Sequence, residues 1–114
     1  MTVESISSVQ QFHNIVRNTD NILIVIDFYA TWCGPCQIIK PHFKELSEKL
    51  QQTHPDQCRF YQVDVDACPD ISNLCEINCM PTFHIYMNGS RLENFSGASI
   101  EMISQKIHDN LLSS

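Results

Sequence analysis

The order of apolar and polar positions divides the chain into alternating helical and extended stretches. Val9, Phe12, Ile15 and Val16 recur at helical spacing behind Ser8, which predicts a short amphipathic helix. Ser8 is its expected N-cap and Gln11, three residues on, the capping-box partner. Polar residues 18–21 end it. Residues 22–26 are apolar at every position, the pattern of a central parallel strand covered by helices on both faces. Asp27 interrupts the run, and Phe28, Tyr29 and Ala30 resume it.

A second helix is predicted after Pro35, because Ile39, Phe43, Leu46 and Leu50 share one face. Pro41 falls inside it and is expected to kink it. Residues 58–65 read as a strand, and residues 69–76 as a short helix whose leading Pro69 suits the first turn. Residues 81–87 alternate as a strand does, and Asn88-Gly89 is a two-residue hairpin signal. Residues 91–95 supply the partner strand. Ile100, Ile103, Ile107 and Leu111 make a last helix, with Ser99 as its cap. An extra short strand is expected near Val3. Early βαβ units followed by a hairpin imply an α/β fold: a mixed sheet of four to five strands flanked by four helices.

Composition narrows the function classes. At 114 residues, 43% of them hydrophobic, the chain can bury a core as one domain, expected to span 1–114. The net charge of −6 and the scattered seven basic residues argue against nucleic acid and anionic membranes as partners. Residues 1–9 carry no signal-peptide pattern, and the aliphatic run at 22–26 is far too short to span a bilayer. The expectation is an unexported protein of the cytoplasm, with the nucleus as a second compartment. Six cysteines in such a setting point to redox or metal chemistry rather than to structural disulfides.

The informative segment is Trp32-Cys33-Gly34-Pro35-Cys36, which follows the buried strand and opens the second helix. That is the carboxyl end of a central strand, where α/β sheets place their ligands. The Cys-x-x-Cys spacing sets two sulfurs on one helical turn. The first would meet the unpaired amides and positive dipole end of the helix, which favour a thiolate. The second would attack any mixed disulfide intramolecularly, at high effective concentration. A zinc pair is the other chemistry open to this spacing. It lacks a second half, since Cys75 and Cys79 lie on a different element at the wrong interval.

The block from Ile26 through Cys36, continued by Ile38, Lys40 and Pro41, resembles the active-site block of thioredoxins. Met80-Pro81-Thr82 is similar to the family's loop facing the dithiol, and Phe95-Ser96-Gly97-Ala98 to its glycine loop. The resemblance covers nearly the whole chain and implies the thioredoxin fold and a protein disulfide reductase. It implies that Cys33 is an exposed attacking thiolate, Cys36 the buried resolving thiol, and Asp27 a buried carboxylate that takes the proton of Cys36. Burial in so apolar a strand should raise the pKa of Asp27, as suits a base. It implies a cis peptide before Pro81, a Met80 backbone that pairs with substrate, and a docking collar formed by Trp32, Gly34, Pro35, Met80, Pro81, Thr82, Gly97 and Ala98. No bound cofactor is implied; NADPH would supply electrons through a thioredoxin reductase. The implied partners are that reductase and disulfide-containing targets such as reductases and peroxidases.

Two positions depart from common members. Gln62 stands where bacterial members often place a Lys near the buried Asp, and Tyr29 where many carry a second Trp. Cys68, Cys75 and Cys79 resemble the extra cysteines of animal-type thioredoxins, for which a regulatory role is expected. Cys68 and Cys75 are two helical turns apart, so a bond between them would distort the helix. Cys79 would serve a disulfide-linked dimer of an otherwise monomeric protein. Cys58 reads as a small strand-edge hydrophobe, the five histidines as surface or strand residues, and Asp64, Asp66 and Asp70 as a solvated strand end and loop. Two rivals stay open: an isomerase or oxidant using the same dithiol, and a binding module whose redox state gates a partner.

Overall fold

The computed structural model describes residues 2–111, so residues 1 and 112–114 of the expected domain lie outside the described residues. Nine elements follow in the order β1 (Val3–Ser5), α1 (Val9–Arg17), β2 (Leu23–Tyr29), α2 (Gly34–Thr53), β3 (Cys58–Asp64), α3 (Pro69–Leu74), β4 (Thr82–Met87), β5 (Ser90–Ser96) and α4 (Ile100–Asn110). The five strands form one sheet in the order β1-β3-β2-β4-β5. β3 runs parallel to β1 and β2, while β4 is antiparallel to both β2 and β5.

The continuous apolar run explains the position of β2 at the centre. Ile24, Ile26 and Phe28 join the layer containing Phe12 and Val16 of α1 and Ile71 of α3. Leu23 and Val25 join the opposite layer with Phe43 and Leu50 of α2 and Ile103 and Ile107 of α4. Alternation along one strand thus feeds two cores, as the two-layer cover of a parallel strand requires. β4 is buried along both faces as well: Phe83 and Ile85 face the second layer and Tyr86 the first.

The ends of elements follow local chemistry. Ser8 Oγ accepts the Gln11 amide at 3.1 Å, as its capping role predicts. The Gln11 side chain returns to the amide of Ser7, at 2.9 Å, and not to that of Ser8. Ser99 Oγ accepts the Met102 amide at 3.2 Å at the start of α4. α3 stops at Leu74, two residues short of the expected end, because Glu76 takes a left-handed φ of 56° that no α-helix continues through. Asn88 and Gly89, at φ 52° and 84°, form the expected tight turn between β4 and β5. β5 extends one residue beyond each expected end, with a register irregularity at Ile85/Tyr86. α2 is assigned as one helix through Pro41, where the absent N–H leaves the Gln37 carbonyl without its helical donor.

Candidate active site

β2 delivers the chain to the fully buried Ala30, and a turn then carries Thr31 and Trp32 over the carboxyl edge of the sheet. Cys33 is the N-cap of α2, in extended conformation, with Pro35 in the first turn. Its Sγ accepts the Cys36 amide at 3.3 Å and lies 3.6 Å from the Met80 carbonyl, to which its S–H donates. The thiol therefore takes the place that a Ser or Asp side chain holds at ordinary caps.

This position corrects one expectation. Cys33 is 6% exposed, not an open thiol. It is turned inward because its sulfur caps a helix amide and meets the docking loop at once. What the surface presents instead is Trp32, 69% exposed, with Gly34 and Pro35 beside it. Cys36 is 2% exposed. Burial above all, then its hydrogen bond with Cys33, pushes its thiol up to about 12, so it does not ionise unaided at neutral pH.

Asp27 is 4% exposed within β2, opposite Gln62 of β3 and Phe83 of β4. Burial pushes its carboxyl up to about 7, and the charge of Lys40 opposes part of that rise. Its Oδ1 has no hydrogen-bond partner. The carboxylate is among the charges that raise Cys36, which places the two within electrostatic reach. A carboxyl that titrates near neutrality beside a high-pKa thiol is suited to accept that thiol's proton.

The loop carrying Met80 and Pro81 closes the other side. The Met80–Pro81 peptide is cis, as the resemblance implies. The Gly97 amide donates to the Pro81 carbonyl at 3.1 Å, bringing the glycine loop against it. Thr82 is buried, and its hydroxyl donates to the Cys79 carbonyl at 2.6 Å. It holds the loop's shape and is not open to a docking partner, a second departure from expectation; Ala98 stays exposed next to Gly97.

Four contacts escaped the sequence. Trp32 Nε1 donates to Asp66 Oδ2 at 2.8 Å, so Asp66 is not simply solvated but anchors the exposed indole. Asp64 also has work, accepting the amides of Asp66 and Ala67. Lys40 matched the family block without a role, and it is the cation that acts on Asp27. His84, read as a surface or strand residue, is wholly buried in β4, with Nδ1 3.0 Å from the Tyr86 hydroxyl. No local pattern announces the pairing of Trp32 with Asp66, 34 residues apart, and the near-neighbour contacts of Asp64 and His84 depend on a turn and a burial that spacing alone does not show.

All six cysteines are free. Cys58 is 1% exposed on the interior strand β3, so it is a core residue rather than an edge one, and burial pushes its thiol up to about 11. Cys68 and Cys75 are buried and diverge: the first reaches the Ile6 carbonyl at 3.6 Å, while the second meets the Tyr86 side chain. Cys79 is exposed, with Ser96 Oγ at 3.2 Å and Thr82 Oγ1 at 3.8 Å; these hydroxyls hold its thiol below the ordinary range. Among the described residues, no three His, Cys, Asp or Glu side chains gather as a metal site.

The thioredoxin family model matches residues 3–109. Thioredoxin of Ictalurus punctatus is 44% identical over 108 residues, covering 95% of this chain and 98% of that one. The crystal structure of Schistosoma mansoni thioredoxin superposes with a TM-score of 0.85 at 35% identity, covering 96% of this chain and 95% of the other. A chain from a structure on thiol resolution in yeast mitochondrial 1-Cys peroxiredoxin via glutathione/thioredoxin systems gives 0.80 at 37% identity, covering 95% of each. The reading as a redox-gated binding module gains nothing from these relatives. Likeness of this degree runs the length of both chains and includes the helix mouth where Cys33 and Cys36 lie, so this chain belongs to the thioredoxin family and is a protein disulfide reductase.

Proposed function

We propose that Cys33 and Cys36 carry the reaction in that order, with Asp27 as base. The Cys33 thiolate attacks one sulfur of a target disulfide, forming a mixed disulfide and releasing the other target sulfur as a thiolate, which takes up a proton. Asp27 accepts the proton of Cys36. The Cys36 thiolate then attacks Cys33 Sγ, closing the Cys33–Cys36 disulfide and expelling the second target thiol. Two electrons pass from the protein to the target. The observation that carries this reading is Cys33 Sγ seated at the Cys36 amide, 3.3 Å away, with the thiol of Cys36 buried and in need of a base.

Trp32, Gly34, Pro35, Met80, Pro81, Gly97 and Ala98 form the docking collar, with the Met80 carbonyl as acceptor for a target backbone. That carbonyl meets the Cys33 thiol in the free protein, so docking exchanges this contact for one with the target. The targets are protein disulfides, peroxidases among them, a reading supported by the peroxiredoxin system of one structural relative. No cofactor is bound; NADPH, through a thioredoxin reductase, restores the dithiol. The protein works as a single domain in the cytoplasm and nucleus. No helix among the described residues is long and apolar enough to cross a membrane. The exposure of Cys79 supports a disulfide-linked dimer of the oxidised protein. Cys68 and Cys75 are regulatory thiols that need local opening before they react, since both are buried.

Insulin reduction with NADPH and a thioredoxin reductase tests the assignment. The wild type consumes NADPH in an insulin-dependent way, and Cys33→Ser does not. Consumption by Cys33→Ser at the wild-type rate would remove Cys33 from its role. A dithiol potential near about −270 mV marks a reductase, and one near about −180 mV would favour the isomerase chemistry.

A further inference from the structure

Asn21 and Asn88 meet at the end of the sheet opposite the dithiol. Asn21 precedes β2 and Asn88 opens the turn between β4 and β5, whereas Cys33 follows the far end of β2. The Asn21 amide donates to Asn88 Oδ1 at 2.7 Å, and Asn88 Nδ2 donates to Asn21 Oδ1 at 3.3 Å. The first bond fixes which carboxamide atom is which, because only the oxygen can accept a backbone N–H. Both residues hold a left-handed φ, 59° and 52°, which asparagine tolerates better than most side chains. Together the two bonds clasp segments 67 residues apart. Both residues are exposed to solvent.

Asn88 alone among the chain's asparagines precedes glycine. Gly89 has no side chain to shield its nitrogen. Among the described residues, its amide donates to no backbone carbonyl. That nitrogen is therefore free to attack the carboxamide before it.

We propose that Asn88 is a site of spontaneous deamidation and that the clasp with Asn21 sets its rate. The Gly89 nitrogen gives its proton to solvent base and bonds to Asn88 Cγ. The Cγ–Nδ2 bond breaks, and the nitrogen leaves as ammonia with a proton from water. One water then opens the cyclic imide at either carbonyl, leaving an aspartyl or an isoaspartyl linkage. Nothing is oxidised or reduced. The atom that must leave is the one held by Asn21 Oδ1, and the oxygen that moves with it is held by the Asn21 amide. Ring closure gives up native hydrogen bonds as well as the turn, so the folded chain resists it. In the aspartyl product a carboxylate oxygen replaces Nδ2 and faces Asn21 Oδ1, and the return bond of the clasp is lost. The isoaspartyl product adds a methylene to the backbone and breaks the Met87–Ser90 pairing at the hairpin end.

Peptide mapping by mass spectrometry follows deamidation at position 88 in mildly alkaline buffer. Folded wild type, wild type unfolded in guanidinium chloride, Asn21→Gly and Asn21→Asp are compared. Glycine suits the left-handed backbone and keeps the amide donor but removes Oδ1; aspartate keeps an acceptor. Folded wild type deamidates at least about tenfold more slowly than the unfolded chain, as two ordinary hydrogen bonds require. Folded Asn21→Gly regains about fivefold, the effect of one such bond, and Asn21→Asp stays at or below the wild-type rate. No deamidation at position 88 in the unfolded chain overturns the site. Equal rates in folded and unfolded wild type, or Asn21→Gly at the folded wild-type rate, overturn the clasp. Circular dichroism checks that the variants fold, and the wild-type comparison decides the matter without them.

Discussion

Asp27 and His84 lie on adjacent strands, β2 and β4, both buried and both ionisable, yet they meet different surroundings. Each has one side-chain atom without a hydrogen-bond partner, Oδ1 of Asp27 and Nε2 of His84. Burial drives both toward their neutral forms, Asp27 up to about 7 and His84 down to about 4. Their surroundings then part. His84 is wrapped by Phe28, with ring centroids 4.8 Å apart, and tied to Tyr86. Asp27 borders a cleft with a lysine across it. Burial alone favours a neutral residue; burial beside a cleft and an opposing charge is what the proposed role of Asp27 as a base requires.

The contrast is sharpest in stability against pH. Asp27 binds a proton more tightly folded than unfolded, so its contribution is complete below about pH 4 and is lost as pH rises through about 7. That loss is about 4 kcal/mol. Denaturant melts of Asp27→Asn lack this decline, and a decline that persists would mean that Asp27 ionises freely in the folded state. In rate, the same variant slows the resolution of a mixed disulfide on the order of a hundredfold at neutral pH. His84→Gln leaves resolution at the wild-type rate. Stopped-flow kinetics on both variants separates the base from the bystander.

His84 runs the other way. It is neutral when folded, so its contribution is complete above about pH 6.5 and is lost as pH falls through about 4. The loss is of order 2 kcal/mol, trimmed because solvent screens the exposed Arg91 that adds to the effect of burial. Between about pH 4 and pH 6.5 the two slopes oppose, and the wild type is nearly flat there. His84→Gln unmasks the falling limb and Asp27→Asn the rising one; parallel curves for all three proteins would refute the pairing. The smallest effect is that of Tyr86→Phe. It strands His84 Nδ1, costs about 1 kcal/mol in chemical melts, and leaves turnover unchanged.

The sequence made some of this legible and hid the rest for physical reasons. Ser8 and Ser99 cap helices through bonds to residues three positions on, so local spacing was enough. The apolar run of β2 carried its own position, because a strand covered on both faces leaves no polar stripe. The dithiol was legible because its spacing, its proline and the strand before it all agree. The inward turn of Cys33 was not, since it depends on a Met80 carbonyl 47 residues away. Asp66 looked like part of a solvated acidic group because its partner, Trp32, is 34 residues distant. Residues 81–87 were legible as a strand, but alternation alone did not place His84, which lies wholly buried in β4. Lys40 was visible as a residue and invisible as a partner, because the cleft joining it to Asp27 forms only when α2 packs over β1 and β3.

The most direct measurement is mass spectrometry of the adduct formed when each single-cysteine variant meets a target disulfide. Cys36→Ser accumulates a mixed disulfide through Cys33, Cys33→Ser accumulates none, and the wild type releases the reduced target with Cys33 and Cys36 joined. An adduct through Cys36, or target reduction by Cys33→Ser, contradicts the assignment of Cys33 as the attacking sulfur.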